Sequence, residues 1–469
     1  MKMYLNGKWV ENEKVIEVRH PYTQEVVDTV PSARPDQVEE ALASAERGAK
    51  VMAELPAHRR AEILRKTADL ILDHSEELAR LLTLEVGKAL RESRGEVSRA
   101  AGVLRLSAEE AGRIRGETMN LDADAGGEGK LGMTLRVPCG VVAAITPFNV
   151  PLCLLAHKAG PALAAGNALV AKPASDTPLS SIKLTEFLLE SGLPPEGIQI
   201  LTGPGGVTGE QLASDRRVRK ISFTGSHAVA QRLTQVAGIK KLSLELGGNS
   251  PTVIMADADL DLAVRSLTAT GYALAGQACI STQRVLVEKS VYEEFLERFR
   301  PSVEALVAGD PLDEKTQVGP LIREADAKRV EEWIQEAVSD GAKLVTGGTR
   351  QGNLVQPAIL GAVKQSSRIS RDELFGPAVG VIPVDNLDQA IALANDTRYG
   401  LSASIFTQDV SKAMRFTREV QSGNIQINWG TLWRADFMPY GGLKDSGLGK
   451  EGPRYAVEEM TELKMVIFH

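Results

Sequence analysis

From Gly140 onward, short apolar runs alternate with helix-patterned segments, and this alternation limits the fold more than any other feature of the chain. Val141–Ile145 is a continuous apolar run of strand length. His157–Ala165 carries a helical pattern, Ala168–Ala171 reads as a strand and Leu179–Ser191 as a helix. A strand at Ile198–Leu201, a helix over Gly209–Ala213, a strand at Lys220–Phe223 and a helix from Ala228 continue the series. Apolar strands separated by helices predict a parallel sheet covered on both faces. Strand-like runs near Val253-Ile254, Val285–Val287, Lys343–Val345, Val379–Pro383 and Ser402–Phe406 predict a second α/β unit. With 469 residues the chain exceeds what one hydrophobic core supports, so two or three domains are expected.

Before Gly140 the pattern differs. Tyr4–Val10 and Val15–Val18 read as short strands; Asp36–Glu54, Ala57–Val86 and Glu92–Gly112 read as helices. Glu117–Met133 is rich in Gly and Asp and reads as an exposed excursion or an arm. A net charge of -7 argues against a nucleic-acid surface or a polybasic membrane anchor. Cys139, Cys153 and Cys279 are widely spaced with no CxxC, so neither a disulfide framework nor a metal site is indicated. The N-terminus lacks a signal-peptide h-region. The most apolar stretch, Gly140 to Lys172, is interrupted by Pro147, Asn149, Pro151, His157, Lys158 and Pro161, which a membrane helix would not carry. A cytoplasmic protein is expected.

Two short segments carry chemistry. Gly276-Gln277-Ala278-Cys279 offers a thiol among small residues, and Glu245-Leu246-Gly247-Gly248 offers a carboxylate. A thiol that forms a covalent intermediate and a base that activates water would make a nucleophilic site. Cys139 and Cys153 lie in strand-like and helix-like runs and read as small buried hydrophobes. Glu245 sits in the apolar run Leu242–Leu246, where an unpaired carboxylate is costly or has a raised pKa. Asn149, following Pro147-Phe148, reads on its own as a turn residue. Gly203–Gly209 has the wrong spacing for GxGxxG and reads on its own as a glycine turn. Phe223-Thr224-Gly225-Ser226 ends a strand and opens a helix, a setting suited to a pyrophosphate.

Seven motifs then occur in one order: Thr146–Asn149, Lys172–Ser175, Phe223–Ser226, Glu245–Gly248, Gly276–Cys279, Glu373–Pro377 and Pro439–Gly447. In this the chain resembles the aldehyde dehydrogenase superfamily of NAD(P)-dependent enzymes, from near residue 4 to near residue 469. The resemblance implies that Cys279 attacks an aldehyde carbonyl to give a thiohemiacetal, that Glu245 activates water to hydrolyse the acyl-enzyme, and that the Asn149 side-chain NH2 and the Cys279 N–H hold the oxyanion. It implies that Lys172 and Ser175 contact the adenine ribose, that Thr224, Gly225 and Ser226 meet the pyrophosphate, and that Glu373 and Phe375 hold the nicotinamide ribose and back the ring. Ile145, Thr146, Pro147, Phe148, Gly205, Gly209, Phe223, Leu246 and Gly247 are assigned to the same cofactor cleft. Members preferring NAD often carry Glu at the position of Ser175. Ser175 beside Lys172 therefore implies NADP or NAD, with NADP slightly favoured; the competing reading makes Ser175 a helix cap.

Arg434 stands among Trp429, Trp433 and Phe437 just before Pro439-Tyr440-Gly441-Gly442, a stretch that borders the substrate tunnel in the family. It would suit a substrate carrying a carboxylate, sulfonate or phosphate, and a small hydroxylated or anionic aldehyde such as lactaldehyde, glycolaldehyde or succinic semialdehyde is compatible with the motifs. Ala278, where phosphate-specific members often have Arg, argues against the rival reading of a non-phosphorylating glyceraldehyde-3-phosphate dehydrogenase. A catalytically silent binding member would require Cys279, Glu245 or Asn149 to be replaced. The implied architecture is α/β: a Rossmann-like cofactor-binding domain (1–116 and 136–247), an α/β catalytic domain (248–440), and a small β arm for bridging and oligomerisation (117–135 and 441–469). The apolar run Leu463–Phe468 would be an aggregation-prone edge if left bare, so a homodimer or homotetramer is expected.

Overall fold

A computed structural model describes residues 1–469 and contains two large sheets, one three-stranded sheet and two two-stranded ones. The first has eight strands in the order Lys8–Val10, Met3–Leu5, Ile198–Ile200, Ala168–Lys172, Val141–Ile145, Val218–Thr224, Lys241–Glu245, Gly447–Leu448. Its five central strands are parallel; the N-terminal hairpin and Gly447–Leu448 join its edges antiparallel. Successive strand residues point to opposite faces. Val142, Ala144, Leu169 and Ala171 accordingly enter one core, and Val141, Ala143, Ile145, Ala168 and Val170 enter another on the far side. Both faces are buried, which is why these strands read as unbroken apolar runs.

The second sheet has seven strands in the order Lys343–Thr346, Ala358–Gly361, Ala378–Val384, Arg284–Glu288, Pro251–Ile254, Ser402–Phe406, Asn424–Ile427. All are parallel except Lys343–Thr346. The helical run expected over Ala57–Val86 divides at His74 into Ala57–Asp73 and Ser75–Val86. No helix is long and apolar enough to cross a membrane.

The three-stranded sheet pairs Thr461–Phe468 along its whole length with Leu131–Pro138, and Thr118–Met119 with the other side of Leu131–Pro138. Its bounds differ from the expected arm. Gly447–Leu448 belongs to the first sheet, where it pairs with Leu244 and Glu245, and Pro453–Glu459 is a helix packed on Pro151–Ala164. Tethering Gly447 to the carboxylate-bearing strand requires close approach: a Cβ on Gly447 would lie 2.2 Å from the Leu244 carbonyl oxygen.

Candidate active site

In the first sheet the strand order reverses between Val141–Ile145 and Val218–Thr224, the place where open α/β sheets leave a crevice at their carboxyl ends. Ile145, Lys172, Thr224 and Glu245 are the last residues of their four strands and all border that crevice. The second sheet closes it from the other side with Cys279, Glu373, Phe375 and Arg434, leaving a cleft of about 580 Å³. Every candidate residue named from sequence lines this cleft except Gly209, which stands behind Ile145 at the end of a single turn, Gly205–Gly209.

The segment carrying Cys279 is held in an uncommon backbone conformation. Leu274 and Ala275 have φ of 53° and 54°, and Gly276 follows at +71°. Left-handed Leu and Ala are disfavoured because Cβ crowds the backbone, so surrounding contacts must impose them. The half-buried Glu92 carboxylate accepts the Leu274 N–H at 2.8 Å, and Gln277 Oε1 accepts the Ile322 N–H at 3.0 Å. The Cys279 Sγ emerges 3.2 Å from the Tyr440 hydroxyl. Burial pushes the thiol up to about 12, reinforced by the Glu373 and Glu245 carboxylates and opposed by the Tyr440 hydrogen bond and Arg434.

Asn149 donates one amide hydrogen to the Gln277 carbonyl at 2.7 Å, which ties it to the thiol's own loop and leaves its second N–H for the cleft. Its backbone carbonyl accepts from Lys88 at 3.3 Å. Lys88 is buried against Glu96, whose other oxygen accepts the Cys153 N–H at the start of the Pro151–Ala164 helix. Glu245 is 3% exposed, and neither carboxylate oxygen has a hydrogen-bond partner. Burial, and then the Glu451 carboxylate, raise its pKa well above the usual range, against Lys158, Arg434 and Lys450. Burial would raise Glu451 too, but Lys158, His157 and Arg434 outweigh it and hold Glu451 down. The two carboxyls are thus driven apart, the arrangement that assigns one the proton and the other the charge.

Arg434 faces the cleft with its side chain 8% exposed. It stacks 3.9 Å from the Tyr440 ring centroid and donates to Glu451 at 3.2 Å; its Nη2 stands 3.3 Å from His157 Nε2, while its Nε finds no partner. Cys153, His157 and Asp436 place ligand-type atoms within 4.8 Å of one another, but guanidinium groups already hold that carboxylate: Arg99 bonds Asp436 at 2.7 and 3.2 Å, with Arg434 beside it. The aromatic side chains expected around Arg434 lie elsewhere. Trp429, Trp433 and Phe437 are 39%, 56% and 66% exposed, and none of them lines the cleft. The cleft's aromatics are Phe148, Phe223, Trp333, Phe375 and Tyr440, contributed by distant segments.

The dinucleotide end of the cleft fits a polar, phosphate-bearing group. Burial brings Lys172 down to about 8, and its Nζ bonds only the Pro173 carbonyl. Thr146 Oγ1 is buried without a partner. Ser226 caps the His227–Ala237 helix, accepting from Val229 at 3.4 Å. Ser175 donates to the Gly203 carbonyl at 2.8 Å and caps no helix; the Leu179 and Ser180 N–H groups are instead capped by the buried Glu85 carboxylate. Asp176, the acid nearest Ser175, is engaged by Arg323 across the cleft. Glu373 accepts the Gly248 N–H at 3.1 Å and burial raises it to about 7. Gly247 makes that approach possible, since a Cβ there would meet Glu373 Oε2 at 2.2 Å.

Sequence reading missed Tyr440 as a partner of the thiol, and missed Lys88, Glu92, Lys158 and Glu451. Lys158 left a trace: a lysine in an otherwise apolar helix requires a buried partner, here Thr224 at 2.7 Å and Glu451 at 3.3 Å.

A model of the aldehyde dehydrogenase family matches residues 9–466. A 3-sulfolactaldehyde dehydrogenase of Priestia aryabhattai is 46% identical over 467 residues, covering 100% of this chain and 98% of the relative. Among solved structures, aldehyde dehydrogenase 21 of Physcomitrella patens, in complex with the reaction product succinate, is 37% identical with a TM-score of 0.97, covering 100% of this chain and 98% of the other. The glyceraldehyde-3-phosphate dehydrogenase GapN of Methanocaldococcus jannaschii, complexed with NADP, is 39% identical with a TM-score of 0.94, covering 98% and 100%.

Proposed function

Since the chain belongs to the aldehyde dehydrogenase family, we propose that it oxidises a short aldehyde bearing a sulfonate or carboxylate to the corresponding acid, with Cys279, Glu245 and Asn149 at the reacting centre. The observation that carries the substrate class is Arg434: a buried guanidinium in the same cleft as Cys279, with an Nε–H that makes no hydrogen bond and has Asp436 Oδ1 3.7 Å away. An anionic substrate would satisfy that donor. Relatives acting on sulfolactaldehyde or holding succinate agree with this reading. Neutral hydroxylated aldehydes such as lactaldehyde and glycolaldehyde bring no anion to that donor. Ala278 offers no cation for a phosphate beside the thiol, which weighs against glyceraldehyde 3-phosphate.

In this mechanism the Cys279 thiolate adds to the carbonyl carbon. The second Asn149 N–H and the Cys279 backbone N–H stabilise the oxyanion, an interaction worth about 3 kcal/mol of barrier per donor. NAD(P), when bound, supplies the hydride acceptor that turns the thiohemiacetal into a thioester. Glu245, in its unprotonated form, then takes a proton from water as that water attacks the thioester carbon, and the thiolate leaves. Lys172, Ser175, Thr224, Gly225 and Ser226 would hold the adenosine and pyrophosphate, and Glu373 and Phe375 the nicotinamide end. NADP is favoured because Ser175 presents no carboxylate and Asp176 is neutralised by Arg323.

Self-association is proposed through Thr461–Phe468, an edge strand that leaves Leu463 58% and Phe468 52% exposed. Elution as a monomer in size exclusion would remove that part. The activity is tested by initial rates with 3-sulfolactaldehyde, succinic semialdehyde, lactaldehyde and glycolaldehyde, each with NAD and NADP, beside Cys279→Ala. Equal turnover of neutral and anionic aldehydes of the same length would refute the substrate class.

A further inference from the structure

We infer that the Tyr440 hydroxyl is itself a catalytic group: it donates a hydrogen bond to Cys279 Sγ and stabilises the thiolate that attacks the aldehyde. The inference rests on Cys279 being the nucleophile proposed above.

Geometry carries it. The hydroxyl lies 3.2 Å from Sγ and is the only hydrogen-bond partner of that atom. Tyr440 is 3% exposed and packs with Ile280 and Leu401. Its backbone is fixed by reciprocal hydrogen bonds with Glu451, Tyr440 N–H to the Glu451 carbonyl at 3.1 Å and the reverse at 2.7 Å. The ring is clamped beneath Arg434, which Glu451 and His157 hold in turn. The phenol therefore has little freedom to point anywhere else.

The charges around the thiol make this donor consequential. Glu373 and Glu245 both oppose a negative sulfur, and Arg434, the cation on the favourable side, turns Nη1 to Glu451 and Nη2 to His157 and makes no hydrogen bond to the sulfur. A hydroxyl donating to a thiolate forms a charge-assisted bond, about twice as strong as its neutral counterpart. A guanidinium stacked on the ring withdraws electron density and makes the O–H a better donor. Burial and the neighbouring thiol and Glu245 keep the phenol's own pKa high, so it retains its proton while the thiol proton leaves to water. Tyr440 acts as donor, not as base.

The test is the pH dependence of Cys279 alkylation by iodoacetamide, read by mass spectrometry of the Cys279 peptide without aldehyde or cofactor, in the full-length protein and in Tyr440→Phe. Phe keeps the ring under Arg434, so packing survives, and the Cys153 peptide serves as an internal check on the fold. The variant should alkylate about tenfold more slowly at pH 8, with its profile displaced about one unit to alkaline pH. Coincident profiles would overturn the role of Tyr440 alone. Aldehyde oxidation that survives Cys279→Ala would overturn the nucleophile assignment and the proposal with it.

Discussion

Glu245→Gln should make the folded protein more stable and the enzyme inactive, and the first effect should depend on pH in a defined way. Glu245 is buried, unpartnered and close to Glu451, so it holds its proton more tightly in the folded state than in the unfolded chain, where its pKa is near 4.5. Between 4.5 and the folded value the native state binds more protons than the unfolded state, and stability falls as pH rises through that window. Below 4.5 both states are protonated and the penalty vanishes. Gln cannot titrate and removes this slope. The difference in unfolding free energy between variant and wild type should grow by up to about 1.4 kcal/mol per pH unit above 4.5. Denaturant unfolding at pH 5, 6 and 7 measures it. In the same variant, loss of the base should slow thioester hydrolysis by about 10²–10⁴-fold. A single stoichiometric burst of cofactor reduction would remain, because acylation does not need the base. Parallel stability curves across pH, or loss of the burst together with turnover, would refute the reasoning.

Asn149→Ala should lower kcat about a hundredfold with unchanged circular dichroism, since it removes one oxyanion donor and the link to the Gln277 carbonyl. Arg434→Gln should lower kcat/KM for an anionic aldehyde about 10–100-fold while changing a neutral aldehyde of equal length far less, as steady-state rates on a matched pair would reveal. Ser175→Glu should cut the NADP-to-NAD ratio of kcat/KM at least about tenfold, because the new carboxylate faces the 2′-phosphate beside a neutralised Asp176; initial rates with each cofactor decide it.

The central strands of the first sheet were legible because burial on both faces leaves an apolar run, as in Val141–Ile145 and Ala168–Lys172, whereas the two-residue edge strand Gly447–Leu448 was not. Ala358–Gly361 and Asn424–Ile427 were not: the first is four small and aliphatic residues, the second an edge strand with polar Asn and Gln. Motifs contiguous in sequence, such as Phe223–Ser226, also proved contiguous in the cleft. The charge network was hidden because its members meet only in the fold. Arg434 and His157 lie 277 residues apart, and no local spacing signals that Tyr440 will meet Cys279. Exposed aromatic clustering near Arg434 misdirected the expected tunnel wall, since composition along the chain carries no information about which side chains will face a cleft.

The left-handed passage through Leu274, Ala275 and Gly276 bears on how this enzyme would fail when heated. Two non-glycine residues held there cost about 1–3 kcal/mol each, and the contacts that impose them come from Glu92 and Ile322 on other elements. Such a segment can relax on its own once those few contacts loosen, well before the sheets separate. Thermal inactivation would then be a local event at the thiol's loop, reversible on cooling, and would run several degrees ahead of the loss of secondary structure.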